Sequence, residues 1–364
     1  MGLEGLDFIV GTGDNAWRAN GDIATRLLQS QFNIGALRPF EETIKNEKTG
    51  QMVGTGRFFI NHNGIARPVN NATLRYDEWK QYDIAVIKAA RERLVVADTF
   101  LSRGLTYTFG NGLGKTVLTY EDLNDFNDAT VGMDPLPTAV EDRPVYGMKY
   151  MPLPVIYKEF RLNIRQLNAS RTTGEPLDVT GAEMAGRKVA EMIETITCVG
   201  SSSFAFGGGT LYGLKDFTYS TTGSLTADWD DSAATGETIL ADVIAMKQAA
   251  IDDRHYGPYG IFIPTNYETA LDADFKAGSD KTIRQRLLEV EGIEFIKVAD
   301  KMTADYVVLV ELTSDTMRMI VGLPITTVQW ESRGGLSQHF MVMAIILPQP
   351  RADQNNRSGI VVYN

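Results

Sequence analysis

Apolar side chains recur at helical spacing in an early part of the chain, residues 76–97. One side of that stretch carries a repeating set of aromatic and aliphatic residues: Trp79, Tyr82, Val86, Ala90 and Leu94. Because steps of three and four residues return to the same side of a helix, the pattern predicts an amphipathic helix that packs in a core. Asp77 and Glu78 at its start and Arg91 and Arg93 near its end suit the helix dipole.

A second and better marked helix is predicted from Thr180 to about Cys198. Thr180 and Glu183 have the spacing of a capping box, and Gly200 provides a stop signal. Eighteen helical residues would be about 27 Å long. The predicted core positions follow at steps of three and four: Ala182, Ala185, Val189, Met192, Ile193 and Ile196. Cys198 is interpreted as a small core residue rather than a nucleophile.

The later part of the chain predicts a mixture of helices and strands. Alternation predicts a strand over 154–165, and the continuous apolar run at 339–347 predicts a buried strand. Residues 201–235 have the Gly, Ser and Thr content of a loop. Between these segments we expect helices at 237–254, 266–276 and 281–291 and strands at 259–264, 293–298, 305–312 and 316–321. The remainder, 324–363, is rich in strand-forming residues.

Two stretches do not look like parts of a compact domain. Residues 1–75 are rich in Gly and Asn and have no sustained periodicity, yet they contain many apolar side chains. About 12–15 residues is the usual limit for a structureless connection, so this stretch is either disordered or an arm that becomes ordered on other subunits. Its apolar content favours the arm. Residues 104–153 alternate short Thr, Tyr and Val runs with glycines and predict a long two-stranded excursion. Its few large aliphatic residues could not offset the ordering of its backbone without partner subunits.

Composition excludes several classes of protein. The chain has 35 Lys and Arg against 46 Asp and Glu, a net charge of −11, which opposes nonspecific binding to nucleic acid. One cysteine excludes an internal disulfide. No stretch reaches the roughly 18–20 apolar residues that span a bilayer, and neither a secretory signal nor a myristoylation signal opens the sequence. A reducing cytoplasm is the expected compartment.

No candidate for catalysis, cofactor binding or metal binding emerges from the motifs. GNGLGKT at 110–116 has Phe109 where a P-loop needs its first glycine, so a flexible loop tip is expected instead. SSSFAFGGG lacks the Gly-x-Ser-x-Gly pattern of a nucleophile elbow. The three histidines are far apart in sequence and are interpreted as structural: His62, His255 and His339. Asp228, Asp230 and Asp231 are interpreted as a solvated loop, with a metal site as the weaker alternative.

Four segments, taken in order, resemble tailed-phage major capsid proteins and the related encapsulin shell proteins. They are DEWKQYDIAVIKAARERLVVADTFL (77–101), LPVIYKEFRLNIRQLNASRTTGEPLDVTGAEMAGRKVAEMIETITCVG (153–200) with GTLYGLKDF (209–217), GPYGIFIPTNYETAL (257–271), and PRADQNNRSGIVVY (350–363). The resemblance implies the α+β Hong Kong 97-type capsid fold. It assigns residues 1–75 to an N-terminal arm, 76–103 to an N-terminal helix region, 104–153 to an extended loop, 154–200 and 322–364 to a peripheral domain with a spine helix, and 201–321 to an axial domain.

The same resemblance implies a function and partners. The chain is expected to be a structural protein, not an enzyme, that forms pentamers and hexamers in an icosahedral shell around the DNA genome of a tailed phage. A separate scaffolding protein, a portal and a decoration protein would be further partners. The packaged double-stranded DNA would be enclosed without specific binding, no membrane is involved, and virions would assemble in the host cytoplasm.

Two alternatives stay open at this point. Encapsulins match nearly as well, but they begin almost at the first helix, so the 75 preceding residues favour the phage interpretation. An enzyme with an unrecognised site in the α/β section is the other alternative.

Charged side chains also suggest how subunits could meet. An acidic shell needs local pairing between subunits, and cations near the spine are expected to meet acids elsewhere: Arg161, Arg165, Arg171, Arg187 and Lys188 with Glu141, Asp142 or Glu175. Some related capsids join a lysine to an asparagine covalently. Lys115 with Asn355 or Asn356 would be the candidates here, and nothing in the local sequence supports that link.

Overall fold

The structure is a computed structural model that describes residues 38–45, 52–62, 65–69, 74–110, 112–123, 143, 146–173, 178–276, 278, 280–332 and 337–364. Its helices are α1 (Tyr76–Arg91), α2 (Val96–Ser102), α3 (Ile164–Thr173), α4 (Thr180–Cys198), α5 (Gly236–Asp252) and α6 (Ile283–Leu288). The first strands are β1 (Phe40–Lys45), β2 (Met52–His62), β3 (Ile65–Val69), β4 (Thr106–Thr108), β5 (Val117–Leu123), β6 (Tyr146–Pro152), β7 (Ile156–Asn163) and β8 (Gly200–Phe206). The others are β9 (Gly209–Tyr212), β10 (Thr221–Gly223), β11 (Tyr259–Ile263), β12 (Ile293–Val298), β13 (Val307–Glu311), β14 (Met317–Ser332), β15 (Ser337–Pro350) and β16 (Ile360–Tyr363).

The chain divides into two compact units. The first unit contains the described residues up to Thr116 together with Leu153–Cys198 and Arg318–Pro348. The second unit contains Val117–Pro152, Val199–Met317 and Gln349–Asn364. In the part of the chain that the structure describes, no helix is both long enough and apolar enough to cross a bilayer.

The first unit packs helices on a four-stranded sheet with the order β4-β14-β15-β7. β7 runs antiparallel to β15 from Ile156 opposite Ala344 to Asn163 opposite Ser337. Helix α4, the spine helix, packs against both α1 and β7. Four aromatic rings join α1, β7 and β15, with centroid distances of 5.2 Å between Phe160 and Phe340 and 5.4 Å between Tyr82 and Phe340. Trp79 of α1 completes the group, with an edge contact to Phe340.

Residues before α1 form strands that the sequence did not predict. β1, β2 and β3 make a three-stranded antiparallel sheet. Phe40 of β1 is buried and stacks on Phe59 at 6.1 Å between ring centroids. The sheet explains the apolar content of this stretch, because its strands pair locally even though the sequence shows no long periodic run. The expected arm also includes residues 1–37, which lie outside the described residues.

The second unit contains a five-stranded mixed sheet with the order β10-β16-β13-β11-β12. β11 is parallel to β12, β10 is parallel to β16, and the two central pairs are antiparallel. Helix α5 begins at a Thr235 cap whose side chain accepts the N–H of Thr238. Its buried side chains recur at helical spacing and pack with those of β11 in one core: Ile239, Val243, Met246, Ala250, Tyr259, Ile261 and Ile263.

The prediction of a loop over 201–235 was wrong where strands β8, β9 and β10 lie, and residues 213–220 and 224–235 have no helix or strand, as predicted. Strands β8 and β9 form an antiparallel hairpin in which Phe206 pairs with Gly209. The two residues between them, Gly207 and Gly208, have φ angles of 61° and 83°. Such positive angles at both central positions suit a two-residue hairpin turn, and Gly-Gly is one of its sequence signals. Strand β10 also lies in the region predicted as loop.

Three other predicted helices or strands have different boundaries in the structure. The helix predicted at 266–276 is reduced to two 3₁₀ turns, Thr265–Tyr267 and Ala270–Asp272, in a stretch rich in weak helix formers. The strands expected at 316–321 and beyond 324 are one continuous strand, β14. The helix predicted over 76–97 ends at Arg91, and a new helix begins at Val96.

The end of the chain also differs from the sequence-based division, which placed all of 322–364 in the peripheral domain. Strand β16 instead lies between β10 and β13 in the sheet of the second unit. Ile360, Val361 and Val362 are buried there. The C-terminal strand therefore belongs to the core of the second unit, where it pairs with both β10 and β13.

Candidate functional site

The motifs that suggested chemistry take structural positions. Gly112–Gly114 of GNGLGKT form a 3₁₀ turn in the first unit rather than the expected flexible tip. A Cβ on Gly112 would lie 2.1 Å from the Gly322 carbonyl oxygen, so only glycine fits this close approach. Lys115 follows with its Nζ 5.2 Å from the centroid of the Phe109 ring. The described part of this turn is therefore packed against β14.

The two histidines whose side chains the structure describes, His255 and His339, each contact a neighbour within their own unit. His255 Nδ1 lies 2.5 Å from Glu311 Oε2, which also accepts a hydrogen bond from Thr316 Oγ1 at 2.9 Å. The hydrogen bond with Glu311 raises the pKa of His255 against the effect of burial. Burial raises the pKa of Glu311, but its hydrogen bonds, led by that from His255, outweigh burial and leave the pKa below its ordinary value. The raised pKa of His255 and the lowered pKa of Glu311 both favour an ion pair, which fastens the loop after α5 to β13.

His339 stacks on Trp330 with 5.6 Å between ring centroids. The side chain of His62 lies outside the described residues.

In the predicted acidic loop, Asp230 Oδ2 accepts a hydrogen bond from Asn266 Nδ2 at 3.1 Å, and Asp231 Oδ1 accepts the N–H of Ala233. Across the described ranges, no group of three or more His, Cys, Asp or Glu side chains is placed to hold a metal ion.

The spine helix buries one acidic residue that the sequence did not single out. Glu194 is fully buried, and its two carboxylate oxygens accept hydrogen bonds from three successive backbone N–H groups: Val95 at 3.1 Å, Val96 at 2.5 Å and Ala97 at 3.1 Å. These groups open α2, whose N-cap residue is Val95 and has no capping side chain. Glu194 therefore caps a helix from a distant part of the chain, and the cap explains why the long predicted helix is interrupted.

Two details of the spine prediction need correction. Met192 is 50% exposed whereas Ile193 is fully buried, because consecutive helical residues are about 100° apart and Met192 falls at the margin of the packed face.

The first turn of the spine helix also differs from the expected capping box at Thr180 and Glu183. Thr180 is already helical, and its N–H donates to Asp178 Oδ1 at 3.0 Å. Cys198 is buried, as predicted.

The segment that precedes α1 is fastened to it by a buried ion pair. Arg38 Nη2 donates to Asp83 Oδ2 at 2.6 Å, and the Arg38 guanidinium lies 4.5 Å from the centroid of the Trp79 ring. Trp79 Nε1 donates to the Pro39 carbonyl oxygen at 2.9 Å. Burial raises the pKa of the Asp83 carboxyl to about 6, and the neighbouring Arg38 opposes that rise.

In the second unit, β5 and β6 form a two-stranded antiparallel ribbon, the β5–β6 ribbon, as the alternation over 104–153 predicted for these residues. Alternate residues in the first part of β6 carry large apolar side chains that are exposed: Tyr146, Met148 and Tyr150. Tyr146 is 62% exposed and Met148 is 57% exposed. Alternate residues of a strand share a face, so these three side chains form one apolar row. An isolated two-stranded ribbon is marginally stable, and such a row is typical of a surface that contacts another protein.

The base of the ribbon is held by the β8–β9 turn. A Cβ on Gly209 would lie 2.2 Å from the Tyr150 carbonyl oxygen, and a Cβ on Gly207 would lie 2.4 Å from Val117 Cγ2. Leu118 and Met151 face each other at this end and are buried. The ribbon is therefore anchored at the end that contains Leu118 and Met151, while its apolar row toward the other end of β6 stays accessible.

Comparison with known proteins gives a family and a fold. The sequence model of a family of unknown function, DUF6260, matches residues 70–363. The chain belongs to DUF6260. This DUF6260 chain is also 27% identical over 218 residues to the type 1 encapsulin shell protein EncA of Myxococcus xanthus, which covers 58% of the chain and 69% of that relative.

Solved structures share the fold of the DUF6260 chain at low sequence identity. A virus-like particle from Pyrococcus furiosus is similar with a TM-score of 0.57 and 18% identity, over 78% of this chain and 98% of that chain. The capsid of Myoviridae phage XM1 is similar with a TM-score of 0.55 and 11% identity, over 72% and 90% of the two chains. The predicted Hong Kong 97-type fold is thereby confirmed.

Proposed function

We propose that the chain is a shell-forming protein, and more specifically the major capsid protein of a tailed phage. The shell-forming role rests on the similarity of this fold to that of a virus-like particle from Pyrococcus furiosus, because the match covers 98% of that particle's chain. The exposed apolar row of the β5–β6 ribbon supplies a surface that a monomer would not need. The role is structural, and no enzymatic activity is assigned.

The phage assignment rests on the N-terminal part of the chain. The family match begins at residue 70, so the residues before it lie outside that match. A shell protein with this additional segment fits the phage interpretation better than the encapsulin interpretation, in which the chain begins almost at the first helix. An encapsulin-type compartment is the second candidate, and the similarity to a type 1 encapsulin shell protein favours it.

The proposed assembly is an icosahedral shell of pentamers and hexamers that forms in the host cytoplasm and becomes part of the virion. A scaffolding protein, a portal and a decoration protein are proposed as partners, with double-stranded DNA enclosed but not specifically bound. Identifying the contents of particles from the native source distinguishes the two candidates. Genome-length DNA supports a capsid, whereas a protein cargo without DNA would identify a compartment.

The first expected outcome concerns the β5–β6 ribbon. The double variant Tyr146→Ser and Met148→Ser should keep the free energy of unfolding within about 0.5 kcal/mol, because both side chains are exposed. Its yield of assembled particles in sedimentation should fall about tenfold or more, because association loses buried apolar area.

The matched control is Ile84→Ser, which removes an apolar side chain of similar exposure, 52%, from α1. This control should assemble in the same yield as the unmodified chain. Equal yields from the ribbon variant and the control would show that the apolar row is not an association surface.

A further inference from the structure

A cavity in the second unit lies between the start of α5 and the segments 229–235 and 270–276. Its volume is about 480 Å³, which is in the range of pockets that hold small molecules. Aromatic rings, aliphatic side chains and alanines form the apolar part of its lining: Trp229, Phe275, Ile239, Ile283, Ala234, Ala270 and Ala273. The cavity therefore suits a ligand with an apolar body.

The charged residues of this cavity are mostly acidic. Four carboxylates and one ammonium group line it, which leaves an excess of three negative charges: Asp230, Asp231, Glu237 and Asp274 with Lys276. Lys276 Nζ lies 2.8 Å from Glu237 Oε1, so the excess charge belongs to the other three carboxylates. The start of α5 adds a partial positive charge of about one half, which is smaller than that excess. The charge of the lining therefore favours a cation.

Beside the cavity, a buried amide oxygen has no hydrogen-bond partner among the residues that the structure describes. Asn266 Nδ2 donates to Asp230 Oδ2 at 3.1 Å and to Asp305 Oδ1 at 2.7 Å. These two bonds use both N–H groups of the amide and fix its orientation. The remaining atom, Asn266 Oδ1, is buried and accepts no hydrogen bond within the described ranges. Because a buried acceptor without a partner is costly, this atom is prepared to receive an N–H donor.

Tyr267 places a second polar atom of this kind among the acids. The residue is fully buried, and its hydroxyl makes no hydrogen bond of ordinary geometry in the described part of the chain. Burial raises the pKa of Tyr267, and the negative charges of Asp305, Asp228 and Asp230 raise it further. The Tyr267 ring stacks on Trp229 of the cavity lining with 5.5 Å between centroids. The acids, the two buried oxygen atoms and the cavity therefore adjoin one another.

The placement of the acids indicates what kind of cation fits. No three of the acidic side chains that the structure describes are grouped to hold a metal ion. An aliphatic polyamine instead carries several ammonium groups along an apolar stem. Such a molecule reaches separated carboxylates while its stem covers apolar surface, as the stem of a lysine side chain does. Its N–H groups also suit the acceptor that Asn266 Oδ1 presents.

We propose that this cavity binds an aliphatic polyamine, with ammonium groups at Asp230 and Asp274 and the alkyl stem against Trp229 and Phe275. All four residues belong to the second unit of one copy, so the site does not depend on the proposed shell-forming function. A chain with a net charge of −11 also attracts polyamines diffusely at low salt. Variants of equal net charge separate a built site from this diffuse attraction.

Isothermal titration calorimetry of the full chain with spermidine measures the binding. The cavity variant, Asp230→Asn and Asp274→Asn, should bind spermidine at least about tenfold more weakly than the unmodified chain, because charge-assisted hydrogen bonds are lost. The control, Asp252→Asn and Asp315→Asn, has the same net charge, and it alters two exposed acids outside the cavity. This control should bind spermidine like the unmodified chain.

A third variant, Ala273→Phe, fills the cavity while it keeps every charge. Ala273 is an exposed residue of the lining, so the larger ring should occupy the space of the alkyl stem. Spermidine binding should again weaken at least about tenfold, whereas diffuse attraction would be unchanged. Butylamine, which has an alkyl stem but a single ammonium group, should bind the unmodified chain at least about tenfold more weakly than spermidine does. Urea unfolding midpoints equal to that of the unmodified chain show that the variants fold.

Three results would overturn the proposal. The first is no spermidine binding by the unmodified chain at low salt. The second is equal binding by the cavity variant and the control, which would show a diffuse counterion only. The third is a peptide of alternating Lys and Leu that binds through Asp230 and Asp274 while spermidine does not, which would show that the cavity receives a basic segment of a protein. Particle formation enters none of these measurements, so failure of the shell-forming function and failure of the polyamine site are distinguishable.

Discussion

Ile193→Asp should leave the chain insoluble, whereas Met192→Asp, one residue earlier, should give soluble and folded protein. Ile193 is fully buried in the first unit, on the face of the spine helix that packs against α1 and β7. A carboxylate placed there loses its hydration without gaining a partner, which costs about 4 kcal/mol or more. Because a domain of this kind is stable by about 5–15 kcal/mol in total, that cost removes a large part of its stability.

At Met192 the same charge would remain in water. The side chain is 50% exposed, so the expected change in the free energy of unfolding is about 0.5 kcal/mol, the range for surface substitutions. The soluble fraction after expression measures the difference. Ile193→Val is the size control, with an expected loss of about 1 kcal/mol. Soluble protein from both Asp variants would mean that this face of the spine helix does not pack in a core.

The second large effect is expected at Glu194. Glu194→Gln keeps the size of the side chain but replaces one acceptor oxygen by an amide donor that faces backbone N–H groups. At least one of the N–H groups of Val95, Val96 and Ala97 then loses its acceptor. A buried donor without a partner costs about 1–3 kcal/mol, and loss of the charge weakens the remaining bonds, so the free energy of unfolding should fall by about 3 kcal/mol.

Urea unfolding of Glu194→Gln and of a control, Glu183→Gln, measures this effect. Glu183 is exposed in the first turn of the same helix, and its substitution should change stability by less than about 0.5 kcal/mol. Amide hydrogen exchange over Val96–Ser102 should also be faster in Glu194→Gln, because α2 would open locally. Equal unfolding midpoints for the two variants would contradict a capping role for Glu194.

Helical periodicity allowed the spine helix and most of α1 to be predicted from the sequence. Their apolar positions recur with the period of a helix, and neither stretch needs a distant residue to explain it. The break after Arg91 was missed because Glu194 stabilises it from about a hundred positions farther along the chain, which no local pattern shows. The β8–β9 hairpin was missed although its signal is local, since Gly207 and Gly208 are a recognised hairpin pair.

The candidate interaction surfaces were predicted in part. Arg161 and Arg165 were expected to meet acids elsewhere, and both are exposed, Arg161 on β7 and Arg165 on α3. Arg187 and Lys188 were expected to do the same, but they pair with Glu191 at spacings of four and three residues on one helix. The sequence contained that pairing, and a check of helical spacing would have found it. Glu141, Asp142 and Glu175 lie outside the described residues, as does the side chain of Arg171, so these pairings stay predictions.

The most direct test of the shell-forming function is the size of the particles that the purified chain forms. Sedimentation velocity with negative-stain electron microscopy measures it on the full chain, without variants or labels. Closed shells of uniform diameter, or the pentamers and hexamers from which they are built, are the expected result. A monomer or small oligomer at every concentration and salt tested, with no rings or shells in the micrographs, would contradict the account.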